Sequence, residues 1–249
     1  MTAVASLPPA GTVDVVWVDL ATVDTEAWLR TAPVLLSGDE VHERGRALSA
    51  EVRMRSWLSR VFLRTTLGWY LQEPPAALIF TYGENGRPSL EPRGGPAALS
   101  FNVSHSGTLL ACAVSRHPVL GLDVERVDRR LDLEGVARLS FSPAELIGFY
   151  ALAGDQRRER FFALWTLKEA YLKARGAGLT LPLDRFSLSL GADDVATVRF
   201  DAGFGDDETA WSFARPDLGS PIRAAVAVRD LAGIPLRTRT VPYELTTSE

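Results

Sequence analysis

Two carboxylates stand one residue apart in Gly121-Leu-Asp-Val-Glu125, a stretch whose apolar and β-branched residues predict a strand. Alternate side chains of a strand share a face, so Asp123 and Glu125 point one way while Leu122 and Val124 point into a core. Side-by-side like charges repel, and the pair is tolerable where water solvates both or a cation lies between them. A second group follows in Trp165-Thr-Leu-Lys-Glu-Ala-Tyr-Leu-Lys173. Positions four apart keep to one side of a helix, which makes Trp165, Glu169 and Lys173 a single stripe. A Glu–Lys pair at that spacing is by itself a routine helix stabiliser. Yet Lys168 and Lys173 are the only lysines among 27 basic residues. Where arginine has been used almost everywhere, a retained lysine suggests a site that needs a compact, mobile ammonium rather than a planar fork. Glu169 brought beside Asp123 and Glu125 would complete an all-oxygen site of the kind Mg²⁺ uses, with further positions for water and phosphate oxygens.

Phe101-Asn-Val-Ser-His-Ser-Gly107 reads as a strand entering a small-residue turn over 104–108, with two hydroxyls and one of the three histidines of the chain. Hydroxyls, backbone N–H groups and an imidazole suit phosphate oxygens, and an ordinary turn with hydrogen-bonded serines is the plainer account. A serine-hydrolase elbow is not matched, because Ser104 stands where the first glycine of Gly-x-Ser-x-Gly belongs. Residues 42–64 hold six arginines against two glutamates in a chain whose net charge is −4. A solvated helix face explains this, and so does an anion site, for which Arg55 and then Arg44 are the candidates. Gly86-Arg-Pro88 alone is a turn. Walker A, Gly-x-Gly-x-x-Gly, Cys-x-x-Cys and His-Glu-x-x-His patterns are absent.

The elements that position these residues are legible. Residues 13–20 predict a buried strand and 24–36 a helix with a break near Pro33. Ser37 with Glu40 predicts the cap of a helix that runs, with a break near residue 50, to about Leu71. Strands are expected over 77–82, about 98–103 and 108–115. After His117-Pro118 the pattern repeats: a strand over 120–125, the cap signal Ser142-Pro-Ala-Glu145, and a long helix over 160–175. Three or four strands are expected over 183–230. We therefore expect an α+β protein of two similar, pseudo-symmetric lobes, residues 1–117 and 118–249, with the ligand site in the cleft between them.

The 249 residues, 46% hydrophobic and 23% charged, have the balance of a globular protein. One cysteine cannot form an internal bridge, and no apolar run reaches the ~20 residues of a membrane span. The N-terminus lacks the pattern of a signal peptide. These features predict a cytoplasmic protein that binds neither membrane nor, being mildly acidic, nucleic acid.

Taken in order, Gly86-Arg-Pro88, Phe101-Asn-Val-Ser-His-Ser106, Gly121-Leu-Asp-Val-Glu125 and Trp165 to Lys173 resemble the motif series of the 4'-phosphopantetheinyl transferases, Sfp-type. The resemblance spans about residues 83–190. It implies an internally duplicated fold and a reaction in which a serine of an apo acyl or peptidyl carrier protein attacks the β-phosphate of coenzyme A, leaving adenosine 3',5'-bisphosphate. By the same resemblance Asp123, Glu125 and Glu169 hold Mg²⁺, with Mn²⁺ as an alternative ion. Glu169 is also the candidate general base, and Lys173 stabilises charge on the pyrophosphate. Ser104 and His105 meet the phosphates, His105 near the 3'-phosphate, and Gly86, Arg87 and Pro88 line the adenine pocket. Relatives often carry lysine where Arg87 stands, and some use first-lobe lysines for which Arg44 and Arg55 are the positional substitutes. A monomer is expected. A carrier helix is expected to meet exposed apolar residues near 141–153, such as Phe149 or Tyr150. The competing expectations are a carrier-binding module without transferase activity and a metal-independent acyl-coenzyme A acyltransferase.

Overall fold

The computed structural model describes residues 6–36, 40, 49–83, 86–91, 99–176, 181–191, 195–231 and 233–243. Ser37, His42 and Arg44 lie outside the described residues, so the expected cap at 37 and the Arg44 assignment are not placed.

The fold is α+β, with two sheets that each back onto a long helix. The first half contributes β1 (Thr12–Asp19), α1 (Thr25–Leu35), α2 (Ala50–Leu71), the short hairpin β2 (Phe80–Tyr82) and β3 (Pro88–Leu90), then β4 (Ser100–Ser106) and β5 (Leu109–Ser115). The second half contributes β6 (Leu120–Arg126), α3 (Leu133–Ser140), α4 (Pro143–Tyr150), α5 (Gly154–Arg175), β7 (Phe186–Leu190), β8 (Val195–Phe200), β9 (Trp211–Ala214), β10 (Ile222–Arg229) and β11 (Arg237–Pro242). Helices α2 and α5 are both 22 residues long.

One sheet has the order β11-β1-β5-β4 and the other β6-β10-β9-β8-β7. Alternation along each strand sorts its side chains into two cores. In β1, Val16 and Val18 pack with Trp28, Phe62 and Leu67 of the first-half helices, while Val13 and Val15 face the second sheet. In β10, Ala225 and Ala227 pack toward α5, and Ala224, Val226 and Val228 face the first sheet. Three apolar layers result, the middle one lying between the sheets.

The sheets meet along their edge strands β4 and β6, and polar side chains close that seam. Asn102 Oδ1, Ser104 Oγ and Ser106 Oγ accept from the backbone N–H groups of Leu122, Val124 and Arg126 at 2.8, 3.2 and 3.2 Å. Alternate residues of β4 thus satisfy alternate donors of β6, which would otherwise be buried without partners. This explains a difference from the sequence expectation. The strand continues through Ser106, with Ser104 and His105 opposite Ala111 and Leu110, and only Gly107-Thr108 turns.

Other differences are local. Helix α1 continues past Pro33 to Leu35: the proline forfeits its own bond to the Leu29 carbonyl, and the helix closes within the next turn as Leu36 N donates to Ala32 O. Residues 75–77 form a 3₁₀ turn, so β2 begins only at Phe80. Ser49 caps α2, accepting from Val52 N, where a break near residue 50 is expected. Strand β11 has no counterpart in the sequence reading. It lies parallel to β1, and Arg239 donates to both oxygens of the buried Asp14 at 2.6 and 2.7 Å, so the last described strand returns to the first sheet.

Candidate active site

Helix α5 crosses β6 at Gly121. A Cβ there would lie 1.9 Å from the Ala170 carbonyl oxygen and 2.5 Å from Ala174 N, so only glycine allows this approach. Gly121, Asp123 and Glu125 share the strand face turned toward α5, while Leu120, Leu122 and Val124 belong to the layer between the sheets. The expected division of the strand is therefore present. The face that carries the carboxylates, however, is covered rather than solvated: Asp123 and Glu125 are 5% and 8% exposed.

Buried carboxylates need partners, and both strands and the helix supply them. Asp123 Oδ1 accepts from Ser104 Oγ at 3.0 Å and from Lys173 Nζ at 2.6 Å. The ammonium also donates to Ser104 Oγ at 2.8 Å. Glu125 Oε2 accepts from Ser106 Oγ at 2.5 Å and from the Arg129 guanidinium at 2.9 Å. Burial pushes the Asp123 carboxyl above its ordinary range, against the pull of Lys173 and Ser104. Burial raises Glu125 as well, the Ser106 hydroxyl opposing it and the charge of Asp123 adding to it. Glu169 is raised furthest, to about 7, by burial first and then by the negative charges of Asp123 and Glu125, with Lys173 opposing.

These three carboxylates thus act on one another electrostatically, and Asp123 Oδ2 is buried with no hydrogen-bond partner. An orphaned carboxylate oxygen beside two further acidic groups is a donor set that suits a hard divalent cation. It is not drawn together in advance. Among the described residues no three acidic, histidine or cysteine side chains are gathered as a ligand cage. Lys173 and Arg129 hold Asp123 and Glu125 instead.

A cleft of about 430 Å³ opens beside this cluster. Asp123, Lys173, Ser104 and His105 line one part of it, Gly86, Pro88 and Tyr82 another, and Phe62, Leu63 and Leu110 are among its apolar walls. Gly86 has a φ of 70°, a left-handed conformation that closes the Gly83–Arg87 turn at the cleft. Six of the residues expected at the site therefore share one cavity. Glu125 and Glu169 are not in its lining, and they join it through their electrostatic coupling to Asp123.

Two expected residues sit differently. The Arg87 guanidinium turns from the cleft and donates to the carbonyls of Lys173 at 2.5 Å and Leu120 at 2.8 Å, tying the turn to the end of α5 and the start of β6. Arg55 is exposed and does not line the cleft, whereas Arg60 does. Five residues along a helix is a rotation of roughly 140°, so the two arginines face apart. Arg60 forms an ion pair with Glu40 at 2.9 Å and lies over the Phe80 and Tyr82 rings. The charge count marks this segment, but the choice of Arg55 within it falls on the face turned from the cleft. The signal that picks out the cleft face is Arg60 and Arg64, four apart and flanking Val61, Phe62 and Leu63. Tyr82 was not anticipated either, since a lone tyrosine in a turn-rich stretch has no spacing to read.

Lys168 is structural. It is fully buried, pairs with Glu145 at 2.8 Å and donates to the Leu183 and Phe186 carbonyls at 2.7 and 2.8 Å. Glu145 completes the expected capping box with Ser142 and accepts from Leu188 N at 2.8 Å, so one ion pair joins α4, α5 and β7. Phe149, expected at the surface, is fully buried against Phe141 and Phe161. Tyr150, Ile147 and Leu139 are the exposed apolar residues of that region.

The cleft thus joins an apolar pocket to an end that carries both acidic and cationic groups, on a fold of two sheets each backed by a long helix. The family model of the 4'-phosphopantetheinyl transferase superfamily matches residues 119–227, which include Asp123, Glu125, Glu169 and Lys173. The chain is 34% identical over 203 residues to the 4'-phosphopantetheinyl transferase HetI of Nostoc sp., covering 82% of each. It is 30% identical over 202 residues to a phosphopantetheinyl transferase of Thraustochytrium sp., covering 76% of this chain and 69% of that one. Over 144 residues it is 33% identical to the 4'-phosphopantetheinyl transferase Sfp of Bacillus subtilis, covering 58% and 62%. Among solved structures it is similar to the holo-[acyl-carrier-protein] synthase of Thermotoga maritima, with a TM-score of 0.37, 23% identity and coverage of 45% of this chain and 62% of that one. The chain belongs to the 4'-phosphopantetheinyl transferase superfamily.

Proposed function

We propose that this chain moves the 4'-phosphopantetheine arm of coenzyme A onto a serine hydroxyl of an apo acyl or peptidyl carrier protein. The serine oxygen bonds to the β-phosphorus, the P–O bond to the α-phosphate breaks, and adenosine 3',5'-bisphosphate leaves. The observation that carries this reading is the continuity of one cleft from Gly86 and Pro88 to Asp123 and Lys173.

Each residue has work suited to its surroundings. The turn at Gly86 and Pro88, with Tyr82, offers a wall for the flat adenine. His105 and Arg60 are the groups in the cleft that suit phosphate charge. Lys173 is placed to balance charge on the α-phosphate as it departs, a stabilisation that grows toward the transition state. Asp123, Glu125 and Glu169 would hold Mg²⁺, or Mn²⁺, which neutralises and orients the pyrophosphate. Glu169, on the same α5 stripe as Lys173, is the group proposed to take the serine proton; burial and the charges of Asp123 and Glu125 raise its carboxyl to about 7 in the metal-free protein, and the ion would lower it. Arg87 fixes the end of α5 and so the placement of Lys173. Residues 1–117 and 118–249 serve as two lobes, with β11 returned to the first, and the protein works as a cytoplasmic monomer. Among the described residues no helix is long and apolar enough to cross a membrane.

Apo carrier protein incubated with coenzyme A and Mg²⁺ should gain the mass of one phosphopantetheine arm, and excess chelator should stop the gain. No gain across acyl, peptidyl and aryl carriers would refute the transferase, and a gain indifferent to chelator would refute the ion.

A further inference from the structure

Lys173 has a second state to account for. Its ammonium lines the cleft, where it can meet a phosphate, yet it is bound to Asp123 Oδ1 at 2.6 Å and Ser104 Oγ at 2.8 Å. Asp123 is 5% exposed, and its other oxygen has no partner. A carboxylate buried to that degree is strongly destabilising unless a positive charge accompanies it. Arg129 stands in the same relation to Glu125, at 2.9 Å on one oxygen.

We propose that Lys173 is a placeholder cation: it neutralises Asp123 while the divalent ion is absent and gives up that carboxylate when the ion binds, which frees the ammonium for the coenzyme A phosphates. The proposal rests on the ion reading above. An ion taken up by the orphaned Oδ2 would set two positive charges on one buried carboxylate, and their repulsion weakens the Lys173 contact on Oδ1, so arrival of the ion favours release of the ammonium. The exchange couples the two ligands. An ion that displaces Lys173 delivers a positive charge into the cleft, and coenzyme A that captures Lys173 leaves Asp123 open to the ion. By linkage each ligand strengthens the other by the same factor. The arrangement also explains the choice of residue. A lysine stem can swing a point charge between two anions a few ångströms apart, whereas an arginine fork would be held by Asp123 and Ser104 together.

Two lysines in the whole chain make the test direct. Protein grown with ¹³Cε-lysine gives one resonance for Lys168 and one for Lys173. Mg²⁺ is titrated into the chelator-treated full chain without coenzyme A, and binding is followed in parallel by calorimetry. The Lys173 resonance should move in step with binding while that of Lys168, sealed against Glu145, stays still. Ion binding with an unmoved Lys173 resonance would overturn the placeholder and leave the ion site standing. No binding at millimolar Mg²⁺ would overturn both. Lys173→Met gives a second reading free of catalysis: its metal-free form should melt lower than the parent, and it should bind Mg²⁺ at least tenfold more tightly. Equal affinity in the two proteins would contradict the exchange.

Discussion

Replacing Glu169 by glutamine should stabilise the metal-free protein, and only above a certain pH. Burial and the charges of Asp123 and Glu125 raise the Glu169 carboxyl from 4.5 to about 7. Between those values the folded chain keeps a proton that the unfolded chain has released. Stability therefore falls as pH climbs through the window, and the loss is complete above about 7. At about 1.4 kcal/mol per pH unit the full loss is about 3 kcal/mol, and access of water to the carboxyl reduces it to about 2 kcal/mol. For a chain of this size that corresponds to about 4–8 °C in melting temperature. In chelator at pH 8, Glu169→Gln should melt higher than the parent by about that amount, and at pH 5 by no more than about 2 °C. Mg²⁺ should reverse the order at pH 8 by stabilising the parent alone. An equal gain at both pH values, or none at pH 8, would show that Glu169 does not share its surroundings with the other two carboxylates.

Gly121→Ala should cost more than about 3 kcal/mol in thermal unfolding, because its methyl would overlap the α5 backbone; a variant melting within ~2 °C of the parent would contradict the close approach. Lys168→Met leaves Glu145 with its capping and backbone bonds but without a counter-charge, and should lose about 3 kcal/mol, with or without Mg²⁺. Arg60→Gln should weaken coenzyme A binding about tenfold, while Arg55→Gln, outside the cleft lining, should change it little; the reverse order would return the phosphate contact to Arg55.

The parts of the site that the sequence revealed are those with a period. Alternation set the Asp123 and Glu125 face of β6, and fourfold spacing put Glu169 and Lys173 on one stripe of α5. Ser142 and Glu145 announced the start of α4 because a capping box is local. What escaped depends on contacts far apart along the chain. Asn102, Ser104 and Ser106 look like a polar turn until β6 supplies the backbone donors that hold them extended. The side of α2 that meets the cleft is decided by Glu40 and Phe80, which is why charge counting favoured Arg55 over Arg60. Strand β11 is polar and mostly exposed, so it carries no apolar alternation, and only the Asp14–Arg239 pair and the docking of Tyr243 beside Trp28 and Phe62 give it a place.

The central claim is that Asp123, Glu125 and Glu169 share one divalent ion beside the cleft. Electron paramagnetic resonance of Mn²⁺ added to the chelator-treated protein measures this without catalysis. The parent should remove one equivalent of free Mn²⁺ from solution, and Asp123→Asn, folded with an unchanged circular dichroism spectrum, should remove none. Equal uptake by the two proteins would contradict the account.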